Sequence, residues 1–302
     1  MQQEVAKIAE LDAGGLLIGE NETPEQFLAR ISAIVAAHRQ FEEILAAQGE
    51  ATVFEGIKVK SSDRIDDAIA AEAAETTRQF YDFSVDYVPG FFLSGEVGLL
   101  WGGCLIGDNE THLSVFLIRG IFKKKQKWLF YNRRELMAHE LCHAAHQILE
   151  DRRTEEYFAY QTSPSRLRRY LGNCFIHSYD AVLFVIPPMI LLLAQVLQFA
   201  WLPHLPVWPF WLLAAIYPLF LFTRNQLSRN EIIKAKRNLS QLDFAKTTAI
   251  LFRLTSAEIS EIARIKEPAA LKNYLADKQR NNLRWQVIAY RFMRESDDEK
   301  VY

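Results

Sequence analysis

The chain has 302 residues, half of them hydrophobic and 24% charged, with a formal net charge of −2 and a mean hydropathy of −0.06. That composition excludes a disordered or collagen-like polypeptide, and the near-neutral balance argues against nucleic acid as a partner. Three cysteines are too few, and odd in number, for a disulfide framework, so a reducing compartment is the simpler setting.

Residues 1–80 read as helical and acidic, with seven Lys or Arg against fifteen Asp or Glu. Thr23-Pro24-Glu25 is a helix start: a capping hydroxyl, a proline at the first helical position, then an acid near the positive end of the dipole. Phe27, Ile31, Ile34, Val35, His38, Phe41, Ile44 and Leu45 follow with helical period and form an apolar stripe. A second helix is expected over 62–80. Neither carries recognisable chemistry, and both read as scaffold.

Residues 84–132 change character, with glycines, aromatics and β-branched side chains in place of the acidic helices. Three strands are expected, at Val97–Ile106, Leu113–Phe122 and Trp128–Tyr131. Lys123-Lys124-Lys125-Gln126-Lys127 forms a basic turn between the last two, a solvated tip that also suits anionic lipid.

His139-Glu140-Leu141-Cys142-His143 matches H-E-x-x-H within a run of helix-forming residues, and Asn132 stands at its N-cap. On a helix, positions i and i+4 lie one above the other, so both imidazoles reach one metal ion. Glu140 then sits beside the metal without ligating it, placed to take a proton from a water there. A catalytic zinc site needs a third protein ligand and an open position. The third histidine of the metzincin pattern would fall at residue 149, which is leucine. Glu156, followed three residues later by Ala159, matches instead the E-x-x-A pattern of glutamate-liganded zincins. Glu155 lies about 100° away on the same helix, so only one of the two faces the metal well, and Glu156 is favoured. His146 shares a helix face with both histidines and is a candidate to support Glu156 or touch substrate. Tyr157 and Tyr160 are candidates to stabilise an oxyanion. Glu135, four residues before His139, is placed either to orient that histidine or to be solvated. Cys142 points off the metal face and reads as a core residue.

From Ala181 to Thr223 there are 43 residues without Asp, Glu, Lys or Arg. A buried soluble helix seldom needs more than about 14 such residues, whereas a bilayer span needs roughly 20. Two transmembrane helices are expected near 181–201 and 206–223, turning at Leu202–Pro206. Trp201, Trp208 and Trp211 fall at the interface, and Pro187-Pro188 kinks the first helix. Arg166, Arg168 and Arg169 precede the hairpin, and Arg224, Arg229, Lys234, Lys236 and Arg237 follow it. The positive-inside rule puts both flanks and both termini in the cytoplasm. No signal peptide is apparent at the N-terminus. Amphipathic helices are expected at 229–245, 247–264 and within 268–294, and Glu295–Tyr302 reads as a frayed polar tail.

The residues at 132–160 resemble the gluzincin class of zinc metalloproteases, and the broader layout resembles the M48-type membrane peptidases, which combine this motif with a transmembrane hairpin. The resemblance implies an α+β fold: a zincin-like helical domain with a small antiparallel sheet, plus the two-helix hairpin. In that family the third-ligand glutamate follows the hairpin, in an E-x-x-x-D stretch. Here Glu156 precedes it, Tyr160 stands where the aspartate would be, and the post-hairpin alternative is Glu231.

The chain is thus expected to divide into a helical region at 1–83, a catalytic core at 84–176, a membrane hairpin at 177–226 and a cytoplasmic helical region at 227–302. The expected activity is that of a membrane-anchored peptidase holding Zn2+ on His139, His143 and Glu156, with Glu140 as base. Its partners would be a peptide or protein substrate, aligned by the strand at Leu113–Phe122 or Trp128–Tyr131, and the lipid bilayer. The rival readings are a non-proteolytic zincin-like membrane adaptor and a structural protein with an accidental motif.

Overall fold

The computed structural model describes residues 2–54, 56–93, 98, 101–108, 112–244 and 246–293. The fold is mixed α+β and mostly helical. Helix α1 (Gln2–Ala13) is followed by α2 (Pro24–Gln48), which starts at the expected cap. Thr23 Oγ1 accepts from the Gln26 amide while the Gln26 side chain accepts from the Thr23 amide. Gly49 ends α2 with φ +73°, a left-handed cap that glycine adopts without strain. A short antiparallel pair comes next, β1 (Glu50–Thr52) and β2 (Lys58–Lys60), where the sequence pattern had suggested only helices. Helix α3 (Asp67–Tyr81) overlaps the helix expected over 62–80, starting five residues later and ending one residue later.

The strand-rich block holds β3 (Gly90–Leu93), β4 (Gly103–Asp108) and β5 (Leu113–Arg119), ordered β3-β5-β4. Strand β4 runs antiparallel to β5, with Leu105 opposite Phe116, but β3 runs parallel to it, with Phe91 opposite Leu117. The sheet is therefore mixed rather than antiparallel. The connection between β3 and β5 allows this, because β4 is inserted between them in the chain yet sits outside β5 in space. Of the expected strand Val97–Ile106, residues 97, 99 and 100 lie outside the described residues, as does the tail Glu295–Tyr302. The expected strand Leu113–Phe122 ends at Arg119 and tightens into a 3-10 turn. Trp128–Tyr131 is a two-residue turn, not one strand: it joins β6 (Lys127–Trp128) to β7 (Tyr131–Asn132).

Alternation along β5 decides what covers the sheet. Phe116 and Ile118 enter the main core with Leu136 and Phe122, whereas Val115 and Leu117 pack with Phe41 and Leu45 of α2. The sheet is thus buried on both faces.

Helix α4 (Arg133–His146) carries the H-E-x-x-H segment, and α5 (Arg152–Gln161) and α6 (Arg166–Leu171) follow. Then come the apolar pair α7 (Ser178–Ala200) and α8 (Trp208–Ser240), which pack against each other. Four shorter helices close the chain: α9 (Thr247–Phe252), α10 (Ser256–Arg264), α11 (Pro268–Asn281) and α12 (Leu283–Phe292). One core draws on Leu17, Tyr81, Met137, Phe158, Leu239, Phe252 and Trp285, so the regions outside α7 share their buried interior. Buried Asp12 of α1 accepts from Arg253 and Arg291, tying the first helix to the last ones.

Among the described helices, only α7 is long and apolar enough to cross a membrane. At 1.5 Å per residue its 23 residues span about 34 Å, against a hydrocarbon core of about 30 Å. Its two prolines lie inside the helix. Helix α8 differs from the expected second span because it begins at Trp208 and runs unbroken into charged sequence. Its uncharged stretch of 16 residues, 208–223, covers only about 24 Å. Beyond it, Ile232, Ala235 and Leu239 enter the main core. At the base of the pair, buried Asp180 accepts from the amides of Ile176 and His177, from the Tyr217 hydroxyl and from Arg224 at 2.6 Å. That carboxylate locks α7 to α8 where they leave the body.

Candidate metal centre

Asn132 caps α4, its side chain accepting from the Glu135 amide, and starts the helix where the sequence predicts. Leu136, Met137, Ala138, Leu141, Cys142 and Ala145 are buried, so α4 runs through the core and leaves one face for its polar groups. The chain reverses after Leu149 through Glu150, which adopts a left-handed φ of +50°. Asp151 caps α5, accepting from the Arg153 amide, and α5 returns against α4. Ala159 is fully buried there; its small side chain lets the two helices approach.

This return gathers three donors. His139 and His143 present their Nε2 atoms to each other at 3.0 Å. The Glu156 carboxylate lies 3.8 Å from the first and 3.7 Å from the second. A tetrahedral zinc with bonds of about 2.0–2.1 Å would space its donors about 3.3 Å apart, so the triad fits such an ion after small movements. The remaining ring nitrogens are already committed. His143 Nδ1 donates to Glu155 at 2.7 Å, and the His139 ring bonds the backbone of Ala159. Both imidazoles therefore turn Nε2 inward, as a metal requires.

The electrostatics agree. Burial, then the neighbouring His143, holds His139 well below the ordinary histidine range. At His143 burial again opposes charge, but the bond to Glu155 and the carboxylates of Glu140 and Glu156 outweigh it, raising the ring to about 9. A charged His143 can donate from one nitrogen to Glu155 and from the other to neutral His139. The space between the two rings is thus one where positive charge is attractive.

Glu140 is buried, and burial pushes its carboxyl above the ordinary range. Its Oε2 accepts the Leu105 amide of β4 at 2.7 Å. Strand β4 is the sheet edge beside α4, and both line a cleft of about 810 Å³ with His139, His143, Glu155 and Glu156. The strand placed to align an extended segment is therefore β4. Strand β5 has partners on both sides, and β6–β7 is only a short hairpin, so neither takes the role the sequence pattern gave them.

The other candidates separate. Glu155 orients His143. Glu231 pairs with Arg153 at 2.5 Å and accepts from Ser260, and it is not among the gathered donors. His146 is not at the metal face: it is buried against Phe158 and Phe252, and neither ring nitrogen has a hydrogen-bond partner among the described residues. Tyr160 sets its ring edge-on to His139 at 4.6 Å, and burial, then Glu156, pushes its hydroxyl up to about 12. Tyr157 faces Arg229 instead. Glu135 forms an ion pair with Arg168 at 3.0 Å and does not orient His139. The Leu105–Glu140 bond and the orienting role of Glu155 were missed by sequence reasoning. Only the adjacency of Glu155 to Glu156 hinted at the second.

No protein-family model, curated protein or solved structure matches this chain.

Proposed function

We propose that the chain is a membrane-anchored, zinc-dependent peptidase that hydrolyses peptide bonds at the cytoplasmic side of a membrane, with His139, His143 and Glu156 holding the ion. The observation that carries this reading is the gathering of those three donors beside Glu140 in a cleft walled by the edge strand β4. A zinc ion bound there would supply a Lewis acid and acidify a water at neutral pH.

The residues do the rest. Glu140, its carboxyl raised by burial, accepts the proton of the attacking water and passes it to the leaving amine. An extended substrate segment lies along β4, exchanging backbone hydrogen bonds with its outer edge. Leu105 then donates to substrate rather than to Glu140, which frees the base as the substrate docks. Tyr160, protonated at neutral pH and packed on His139, serves as a side-chain donor to a developing oxyanion. Helix α7 supplies the anchor, the apolar half of α8 completes a hairpin with it, and the arginines and lysines flanking the pair put both termini in the cytoplasm.

The Leu105–Glu140 bond also favours a second reading, a zincin-like adaptor in which base and strand edge saturate each other and no peptide is cut. One experiment separates the two. Purified protein should carry one zinc per chain, lose it in His139→Ala, and hydrolyse a generic unfolded protein. Glu140→Gln should keep the zinc and lose hydrolysis by about 10²–10⁴-fold. Zinc binding with no hydrolysis in the unaltered protein leaves the adaptor, and absence of zinc binding removes both.

A further inference from the structure

The β6–β7 turn presents two large apolar side chains to solvent, Leu129 and Phe130, exposed by 62% and 59%. Leu129 is held at φ +51°, a left-handed conformation that turns normally assign to glycine or asparagine. A strained position occupied by a bulky apolar residue invites a functional reason. The turn is also rigidly mounted. Trp128 and Tyr131 stack across its base, Arg119 lies over Trp128 at 4.3 Å, and Arg168 of α6 bonds the Phe130 carbonyl at 3.1 Å.

Two further features say what covers this tip. Lys124, Lys125 and Lys127 are exposed beside it and make no ion pair among the described residues. The segment that Arg168 joins to the tip also carries exposed apolar side chains on the way to α7: Leu167 of α6 is 67% exposed, and Phe175 packs edge-on against Phe184 of α7. Apolar side chains beside uncompensated lysines, and joined through α6 to α7, which is long and apolar enough to cross a bilayer, match the surface of an anionic membrane.

We propose that the β6–β7 tip, Leu129 and Phe130 with Lys124, Lys125 and Lys127, inserts into the headgroup layer of an anionic bilayer beside α7. This is a second membrane contact, made by the body of the protein. It extends the membrane part of the reading above and does not depend on the peptidase part. The contact fixes how the body lies on the bilayer, because Arg168 ties the tip both to α6 and, through Glu135, to the metal helix α4.

The test is site-specific photocrosslinking of the full chain in vesicles of phosphatidylglycerol and phosphatidylethanolamine, with p-benzoylphenylalanine placed singly at Phe130, Phe199 or Val35. Phe199 is the exposed end of α7. Val35 is an exposed apolar control one turn from His38, whose ring bonds Ser114 at the opposite end of β5 from Arg119. The expected result is lipid adducts at 130 and 199 and none at 35. The adduct at 130 should fall at least about fivefold when Lys124→Glu and Lys125→Glu are combined, or when phosphatidylcholine alone forms the vesicles. Adducts at 199 without any at 130 overturn the proposal and leave the α7 anchor standing. An adduct at 130 to a second protein chain overturns it in favour of a contact between copies. Equal yields at 35 and 130 overturn it as non-specific. Failure at both 130 and 199 removes this contact together with the membrane reading of α7.

Discussion

Glu155 accepts the Nδ1 proton of His143 at 2.7 Å, while the adjacent Glu156 faces the Nε2 of the same ring at 3.7 Å. Two consecutive carboxylates thus serve one imidazole from opposite edges, one fixing its orientation and the other completing the donor set. Glu155→Gln should keep a zinc site of full stoichiometry with affinity lower by about 10–100-fold, whereas Glu156→Gln should weaken it far more. Competition titration against a chromophoric chelator ranks the two. Equal losses would mean that Glu155 is itself a ligand.

Zinc uptake should expel the proton held by His143. With that ring raised to about 9 in the metal-free protein, its neutral form becomes scarcer by tenfold for each pH unit below 9. Apparent zinc affinity should therefore climb with pH between about 6 and 9 and level off above. Calorimetry in buffers of different ionisation enthalpy checks the proton count. Uptake without proton release near neutral pH would contradict the assignment.

His146 makes the stability of the fold sensitive to acid. Burial holds its ring at about 4, against 6.5 for a free histidine, so the unfolded chain binds the proton more readily between those values. Stability is complete above about pH 6.5 and should decline toward pH 4 by up to about 3 kcal/mol from this group. His146→Phe should remove that part of the decline in denaturant titrations at pH 4.5 and 7. An unchanged difference between the two pH values would show that other groups carry it.

Gly172 lies against the Tyr160 ring, which in turn packs on His139. An added methyl there would run into the ring carbons, which packed neighbours hold in place. Gly172→Ala should cost about 1–3 kcal/mol of stability and weaken zinc binding as His139 is displaced. A variant of normal stability and affinity would mean that Tyr160 does not support the site.

The parts of this fold that could be read from the sequence are those whose cause is local. Thr23-Pro24 and Asn132 mark helix starts because a cap acts within three residues, and the i, i+4 histidines meet on α4 because one turn of helix brings them together. The E-x-x-A spacing singled out Glu156 over Glu155 for the same reason. What could not be read depends on partners far along the chain. His146 looks like a third member of the histidine face until Phe252, 106 residues later, packs against it. Strand β4 becomes the sheet edge only because β3, short and glycine-led, pairs on the other side of β5. Glu231 and Arg153, 78 positions apart, neutralise each other through a contact that no local pattern announces.

The unbroken course of α8 has a consequence for distance. Its first cation, Arg224, and Glu231, which grips Arg153 two residues before Glu155, are seven residues apart, about 10 Å along the helix. If α8 enters the bilayer as proposed, the stretch from Arg224 to Glu231, which lies beyond Pro218 and holds no proline, would set the candidate metal centre at a constant height above the lipid. An extended chain covers that height in about three residues. If the chain is also the peptidase proposed above, a tethered substrate would then be cut at a set number of residues from the membrane, whatever its sequence.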